Sequence, residues 1–68
     1  MKWIKTNDCL PKPHIPIIFA EEWIIDNEEE FTYHIGEFSN NEFFNWNTEQ
    51  SLSISKIVYW SYIKKLPK

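Results

Sequence analysis

The sequence predicts a small, mainly β protein with one antiparallel sheet of three to four strands, and with the N- and C-terminal arms packed across it. Short runs rich in β-branched and aromatic residues recur along the chain, and such residues favour strands. Polar and Asn-rich segments typical of turns separate these runs. At 68 residues and without an internal linker, the chain is predicted to form a single domain over residues 1–68.

The first two strands are predicted on either side of an acidic turn. An apolar run at 15–20, which could extend to 25, predicts a buried strand. Pro16 lacks a backbone N–H, so it belongs at the start of that strand or on an edge. Residues 26–29 form the polar turn, and apolar residues alternate with polar ones through 31–38. Gly36 interrupts this pattern, which indicates a bulge or the close approach of another backbone.

The remaining strands are predicted at 43–46 and 57–63, joined by a polar loop at 47–53. Two helical alternatives compete with this assignment. The sequence Ser-Asn-Asn-Glu at 39–42 matches a capping box, although the residues after it are poor helix formers. The apolar spacing within 54–62 also fits a helix, but its β-branched and aromatic content favours a strand.

Charge is distributed unevenly along the chain. Residues 21–49 contain nine acidic residues and no Lys, whereas residues 50–68 contain four Lys and no acid. Such runs most often form a solvated surface, but they also predict a basic region opposite an acidic one. A net charge of −3 and the absence of Arg argue against duplex nucleic acid as a partner.

The cysteine content and the N-terminal segment predict a cytoplasmic protein. Cys9 is the only cysteine, so no internal disulfide can form, which suits a reducing compartment. Three prolines between residues 11 and 16 break the apolar pattern there, so we expect no signal peptide. No run approaches the roughly 20 apolar residues of a membrane span, so we expect no membrane partner.

The sequence contains no pattern typical of catalysis or of metal binding. Cys9 and His14 lie in a Pro-rich stretch without a third group that would orient them as a nucleophile and base. Together with Asp8 and His34 they lack the spacing of known metal sites. The acids at 28–30 are typical of a hydrated turn, and a single glycine cannot form a phosphate-binding loop. We therefore expect no enzymatic activity and no cofactor.

Aromatic residues are more numerous than a core of this size can enclose. The chain has four Trp, three Tyr and five Phe, and the alternation at 57–63 places apolar residues on both faces of the last strand. Exposed apolar area usually marks an interaction site. The second face could be covered by the chain's own N-terminal arm (residues 3–10) and C-terminal arm (residues 66–67), by a second copy, by a host protein or by a flat ligand.

Four short motifs near the two ends resemble a known family. They are the pairs Trp3-Ile4 and Leu10-Pro11, the triplet Val58-Tyr59-Trp60 and the pair Leu66-Pro67. Their arrangement resembles the small domain-of-unknown-function family numbered five-five-one, which is common in phages and prophages. The chain departs from it in having Tyr59 where the family usually has His, three extra residues before the last motif, and an acidic turn instead of a Gly-rich hairpin. The resemblance implies a small β-rich fold, a phage or mobile-element origin and no nameable enzyme activity.

The leading functional hypothesis is a non-enzymatic phage-type binding protein, acting as a homo-oligomer, that sequesters a nucleotide-derived signal to counter host defence. Aromatic rings would stack on the base and lysines would meet the phosphates. The predicted ligand-binding residues are Trp46, Tyr59 and Tyr62 for stacking, Lys5, Lys64 and Lys65 for phosphate, and His34 as a hydrogen-bond donor. The alternative is a protein–protein interaction module or inhibitor that binds a host protein through the aromatic patch or the acidic residues 21–49. A structural accessory protein is the third interpretation.

Overall fold

The computed structural model describes residues 2–63, which form six strands and one 3-10 turn. The elements are β1 (Ile4–Lys5), β2 (Ile17–Ile25), β3 (Glu28–Ser39), β4 (Glu42–Asn45), β5 (Gln50–Ser53), the 3-10 turn (Ile54–Lys56) and β6 (Ile57–Tyr62). All strand pairs are antiparallel, in one sheet with the order β1-β6-β2-β3-β4-β5. The predicted mainly β class with an antiparallel sheet is confirmed, but the sheet has six strands rather than three to four.

The two additional strands, β1 and β5, lie at the edges of the sheet. The two residues of β1 pair with β6, where Ile4 lies opposite Trp60. In β5, a segment predicted as part of a polar loop, Leu52 lies opposite Phe43 of β4. Neither strand has an apolar alternation of its own, because each contributes only one partly buried apolar side chain to the packing. Their strand conformation depends on the neighbouring strands.

Two-residue turns close the first two hairpins. Asp26 and Asn27 join β2 to β3 with φ values of 51° and 65°, and Asn40 and Asn41 join β3 to β4 with φ values of 51° and 61°. Positive φ at both central residues defines the type I′ turn, whose twist matches the twist of paired strands. The helix suggested by the capping box is therefore wrong, since Glu42–Asn45 forms β4.

A β-bulge in β6 alters the alternation predicted for the last strand. The register shifts after Ala20, which pairs with Tyr59. Glu21 then pairs with Ile57, so Val58 is the extra residue. The sequence alternation placed Ile57 and Tyr59 on one face, whereas the bulge allows the Ile57 side chain to pack in the core. The helical alternative for this segment survives only as the short 3-10 turn before β6.

The core lies on one face of the sheet, called the inner face. It comprises Ile17, Phe19, Phe38, Phe43, Ile57 and Trp60. Phe19 pairs directly with Trp60, and Phe38 pairs with Phe43. A cross-strand pair shares one face of a sheet, so these contacts place the six side chains together.

Residues 2–63 contain no helix long and apolar enough to cross a membrane.

Part of the predicted N-terminal arm packs across this inner face. The Trp60 indole N–H donates to the Cys9 carbonyl at 2.8 Å, and the Lys12 backbone N–H donates to the Tyr62 hydroxyl at 3.0 Å. Pro11, between them, is buried. The predicted C-terminal arm, Leu66-Pro67, lies outside the described residues.

Gly36 marks a close approach between two backbones, one of the two alternatives that the sequence indicated. It lies opposite Asn45 in the β3–β4 pair. A Cβ at this position would overlap the carbonyl oxygen of Phe44. Only glycine, which has no Cβ, allows the backbone of β4 to approach β3 this closely.

Candidate functional site

The face opposite the core, called the outer face, carries a groove walled by aromatic rings. Trp3, Phe31, Tyr33 and Tyr59 surround Ala20 in an open depression of about 230 Å³. Ala20 pairs with Tyr33 on one side and with Tyr59 on the other. Because a methyl group lies between two large rings, the surface is indented here. We call this feature the aromatic groove.

The rings of the aromatic groove form two contacting pairs. The ring centroids of Trp3 and Tyr33 lie 5.8 Å apart at an interplanar angle of 43°, and those of Phe31 and Tyr59 lie 6.2 Å apart at 68°. Tilted and edge-to-face pairs are favourable aromatic geometries. Tyr33 is 58% exposed and Trp3 41% exposed, so both pairs offer ring surface to another molecule.

A polar depression adjoins the aromatic groove and shares Tyr59 with it. It encloses about 400 Å³ and is lined in part by Lys5, Asn7, Glu22 and Ser55. Lys5 pairs with Tyr59 in the β1–β6 register, so the ammonium group and the phenol ring lie on the same face. Lys5, Asn7 and Ser55 can donate hydrogen bonds to an anion, while Glu22 disfavours anions on one side.

The distal part of the β2–β3 hairpin extends past the end of β6. The pairing of β2 with β6 ends at Glu21, so the remainder of β2 pairs only with β3. Trp23, Ile24 and Ile25 are consequently 46%, 66% and 56% exposed. We call residues 22–31 the hairpin tip. It carries five acidic residues and no Lys.

Two carboxylates of the hairpin tip lie close together on the outer face. Glu22 pairs with Phe31 and Glu29 pairs with Ile24, which makes the two acids diagonal neighbours. A hydrogen bond with Glu22 raises the pKa of Glu29 above its ordinary value, and desolvation and charge repulsion from Glu22 act in the same direction. The tip therefore contains two carboxylates that repel each other.

A second cleft lies on the inner face, at the base of the hairpin tip. It has a volume of about 370 Å³, and its lining includes Glu21, Trp23, His34, Asn45 and Lys56. The His34 ring donates from Nε2 to Glu21 Oε1 at 3.0 Å, and Asn45 Nδ2 donates to His34 Nδ1 at 2.8 Å. The Glu21 side chain is only 9% exposed. We call this feature the inner cleft.

Backbone contacts determine the direction of every hydrogen bond in this network. The N–H groups of Asn47 and Thr48 donate to Asn45 Oδ1, at 2.8 and 3.3 Å. The amide of Asn45 must therefore turn its NH₂ group, which can only donate, toward His34. His34 Nδ1 accepts, so the ring is the neutral tautomer with its hydrogen on Nε2. Glu21 thus receives a hydrogen bond from an uncharged donor.

The structure brings two of the predicted ligand-binding residues together. Lys5 and Tyr59 are neighbours on the outer face. His34 lies in the inner cleft, and Tyr62 packs on the inner face with its ring centroid 4.8 Å from that of Trp60. The two remaining lysines of that prediction, Lys64 and Lys65, lie outside the described residues.

Trp46, another predicted stacking residue, packs beside a hydrogen bond between His14 and Glu37. Its indole Nε1–H donates to Glu37 Oε1 at 3.2 Å, and His14 Nδ1 contacts Glu37 Oε2 at 2.9 Å. The hydrogen bond from His14, and to a smaller extent the one from Trp46, lowers the pKa of Glu37 below its ordinary value. Trp46 remains 44% exposed but does not line the aromatic groove.

Cys9 and His14, weighed above as a nucleophile and a base, have separate partners. The Cys9 thiol contacts the carbonyl oxygen of Leu10, and His14 is engaged by Glu37. Within residues 2–63, no group of three or more His, Cys, Asp and Glu side chains is placed to hold a metal ion.

Sequence reasoning missed most of the aromatic groove. Trp3 was assigned to an arm, and Phe31 and Tyr33 were counted only as strand residues. Ala20 gives the one local signal, since it is the only alanine in the chain and lies among large β-branched and aromatic residues. A small residue between large ones predicts a depression, but its partners across the sheet depend on the register.

Comparisons of the chain with protein-family models, with curated proteins and with solved structures give no match. The resemblance to the phage family therefore stays a prediction, and the function is argued from the site alone.

Proposed function

We propose that this protein is a non-enzymatic binding protein whose aromatic groove accepts the flat ring of a nucleotide-like ligand. The observation that supports this most directly is the row Tyr33, Ala20 and Tyr59 across three strands. It leaves the small Ala20 side chain between two aromatic walls, and aromatic side chains stack on any base. At about 230 Å³, the groove suits the planar part of a ligand rather than the whole of one, since drug-sized sites span roughly 300–1,000 Å³.

Lys5 supports the choice of an anionic ligand. Lys5 lies beside Tyr59, so its ammonium group would be available to the phosphate of a nucleotide stacked in the groove. Asn7 and Ser55 add neutral donors in the same depression. Glu22 opposes an anion, so the expected affinity is greatest for ligands whose phosphate lies toward Lys5 and away from the hairpin tip.

Self-association is part of the proposal. The outer face exposes Ile35 and Tyr33 beside the groove, at 52% and 58%, and large exposed apolar areas usually mark an interface. Two copies that face each other through this surface would enclose the ligand between their grooves, in the two-fold arrangement most common for oligomers. Within a bacterial cytoplasm, such a complex would sequester a nucleotide-derived signal and counter host defence, the role that phage-type proteins of this size suggest.

Thermal unfolding with a panel of mononucleotides and cyclic dinucleotides tests the proposal. A ligand that binds only the folded state stabilises it by about 2.7 kcal/mol at a hundredfold excess over Kd, which corresponds to a rise in Tm of roughly 10–20 °C for a chain of this size. Tyr33→Leu should weaken binding by roughly 1–3 kcal/mol, the usual contribution of one stacked ring. Lys5→Gln should weaken binding of the nucleotide but leave binding of the matching nucleoside unchanged.

Trp46→Leu is the matched control, because it removes an exposed ring outside the aromatic groove. Its affinity should equal that of the unmodified protein. If no nucleotide at millimolar concentration changes the Tm, or if Tyr33→Leu and Trp46→Leu have the same effect, the groove does not bind nucleotides. Light scattering with and without the best ligand then shows whether a second copy participates.

A further inference from the structure

We propose that the inner cleft is a separate site for a cationic side chain, a guanidinium or an ammonium group, on a basic peptide segment of a partner protein. This site lies on the face opposite the aromatic groove and does not depend on the nucleotide proposal. The carboxylate of Glu21 and the indole of Trp23 line the cleft, and the strongly acidic hairpin tip begins beside it.

The first argument is the missing counter-charge of Glu21. Its side chain is more than nine-tenths buried, and within residues 2–63 its only hydrogen bond is the one from His34. Because Asn45 holds His34 as the neutral tautomer, that partner supplies no positive charge. A buried carboxylate is costly unless a cation is paired with it. The inner cleft gives a cation from another molecule a route to this carboxylate.

The second argument is the composition of the walls. Trp23 follows Glu21 by two residues on β2, so both side chains are on the inner face. Glu30 lies directly opposite Trp23 on β3. An indole face between two carboxylates attracts cations through both charge and the ring quadrupole, and a guanidinium group also matches the fork geometry of a carboxylate.

Among residues 2–63, Lys56 is the one cationic side chain that lines the cleft. It forms no salt bridge with Glu21 or with any other described carboxylate, so it does not neutralise the floor. A bound cation would have Lys56 as an unfavourable neighbour. Removal of this charge should therefore strengthen binding, whereas it would weaken an anionic ligand.

The hairpin tip indicates a peptide rather than a free small cation. It exposes Trp23, Ile24 and Ile25 along an edge that β6 leaves unpaired. Its five acids complement a segment that carries more than one basic residue, and apolar neighbours of those residues would cover the isoleucines. Aromatic and aliphatic side chains of this kind dominate binding energy at interfaces.

A titration with two peptides that differ only in the charge of one side chain tests the proposal. The probes are acetyl-Val-Arg-Val-amide and its citrulline analogue, which has nearly the same shape but no charge. Chemical shifts are followed on ¹⁵N-labelled protein, with the indole N–H of Trp23 identified through Trp23→Phe. We expect saturable shifts at Trp23 and at neighbouring inner-face amides with the arginine peptide, and none with the citrulline peptide.

Variants determine whether the cation contacts Glu21. Glu21→Gln keeps an oxygen that can accept a hydrogen bond from His34. It should lower the affinity for the arginine peptide by about tenfold or more. Glu30→Gln, an exposed change that does not threaten folding, should weaken it by a smaller factor. Lys56→Gln should strengthen it. Glu42→Gln, on the β3–β4 hairpin, is the control and should leave Kd unchanged.

Equal shifts with both peptides, weaker binding in Lys56→Gln, or identical effects of Glu30→Gln and Glu42→Gln would each overturn the proposal. Shifts confined to Tyr33 and Tyr59 would place the peptide in the aromatic groove instead and would likewise refute it. Because the readout is on the inner face, failure here leaves the nucleotide test on the outer face unaffected.

Discussion

At the residue scale, Glu37 connects segments that are distant in the sequence. Its two carboxylate oxygens accept from His14, 23 residues earlier, and from Trp46, nine residues later. These hydrogen bonds favour the charged carboxylate and so lower its pKa. The arrangement holds the segment before β2 and the residue after β4 against the same position of β3.

Replacement of this carboxylate should make stability less sensitive to acid. A group whose pKa is lower in the folded than in the unfolded protein stabilises the fold above its unfolded pKa, and this contribution disappears as the pH falls through the folded value. Glu37→Gln should therefore cost up to about 1 kcal/mol at pH 7, the usual net contribution of a hydrogen bond. The difference from the unmodified protein should narrow below pH 4.5, the ordinary value for Glu.

Urea unfolding at several pH values measures this effect. Glu42→Gln provides the comparison, because Glu42 is exposed and has no side-chain hydrogen bond among the described residues. A stability difference between Glu37→Gln and the unmodified protein that is the same at pH 3 and pH 7 would contradict the assignment.

At the scale of elements, the two tight turns decide the hairpins more directly than strand propensity does. Asn40 and Asn41 both adopt positive φ, a conformation that Asn and Gly tolerate far better than other residues. The same four residues, 39–42, resemble the start of a helix in the sequence. The residue types at 39–42 are compatible both with the start of a helix and with a hairpin turn. The pairing of Phe43 with Phe38 and Leu52 selects the strand.

Substitutions in the second turn should follow the backbone conformation. Asn41→Val should destabilise the protein by about 1–2 kcal/mol, because a β-branched residue is strained at positive φ. Asn41→Gly should be neutral or slightly stabilising, since glycine adopts this conformation without strain. The free energy of unfolding in urea measures both.

Asn47→Val is the control for this pair, because Asn47 is an exposed loop residue with negative φ. Its effect should be small. A similar loss in Asn41→Val and Asn47→Val would show that the turn geometry is not responsible.

At the scale of the whole molecule, the sheet divides the aromatic residues between two faces. The inner face encloses Phe19, Phe43 and Trp60 almost completely. The outer face leaves Tyr33 more than half exposed, and the hairpin tip does the same for Ile24. One sheet with one covering segment has a single interior, so the remaining rings face the solvent as their number predicts.

Neighbouring phenylalanines on β4 should therefore differ sharply in their contribution to stability. Phe43 is fully buried, whereas Phe44 is partly exposed on the other face. Phe43→Ala should cost about 3–5 kcal/mol, which equals the total stability of roughly 3–5 kcal/mol expected of so small a core. The variant should be largely unfolded by near-ultraviolet circular dichroism.

Phe44→Ala should remain folded with a smaller loss of stability. Equal losses in the two variants would mean that the outer face is as well covered as the inner one, and would count against both the aromatic groove and the excess of exposed rings.

The sequence predicted the parts of the candidate site that have a local signal. Alternation in 57–63 showed that Tyr59 had to lie on the face opposite Trp60, and the composition indicated rings beyond the capacity of the core. The proximity of Lys5 to Tyr59, and of Trp3 to Tyr33, follows from the edge pairing of β1. A strand of two residues has no periodicity from which that pairing could be predicted.

The sequence by itself determined a β fold and the position of the turns, and it indicated more aromatic rings than the core could enclose, because these depend on residue types and on a period of two. Only the tertiary structure decided the six-stranded order, the bulge at Val58 that turns Ile57 into the core, and the network that joins Glu21 to His34 and Asn45. Those features arise from contacts between residues far apart in the chain, and no local pattern specifies the register at which two strands meet.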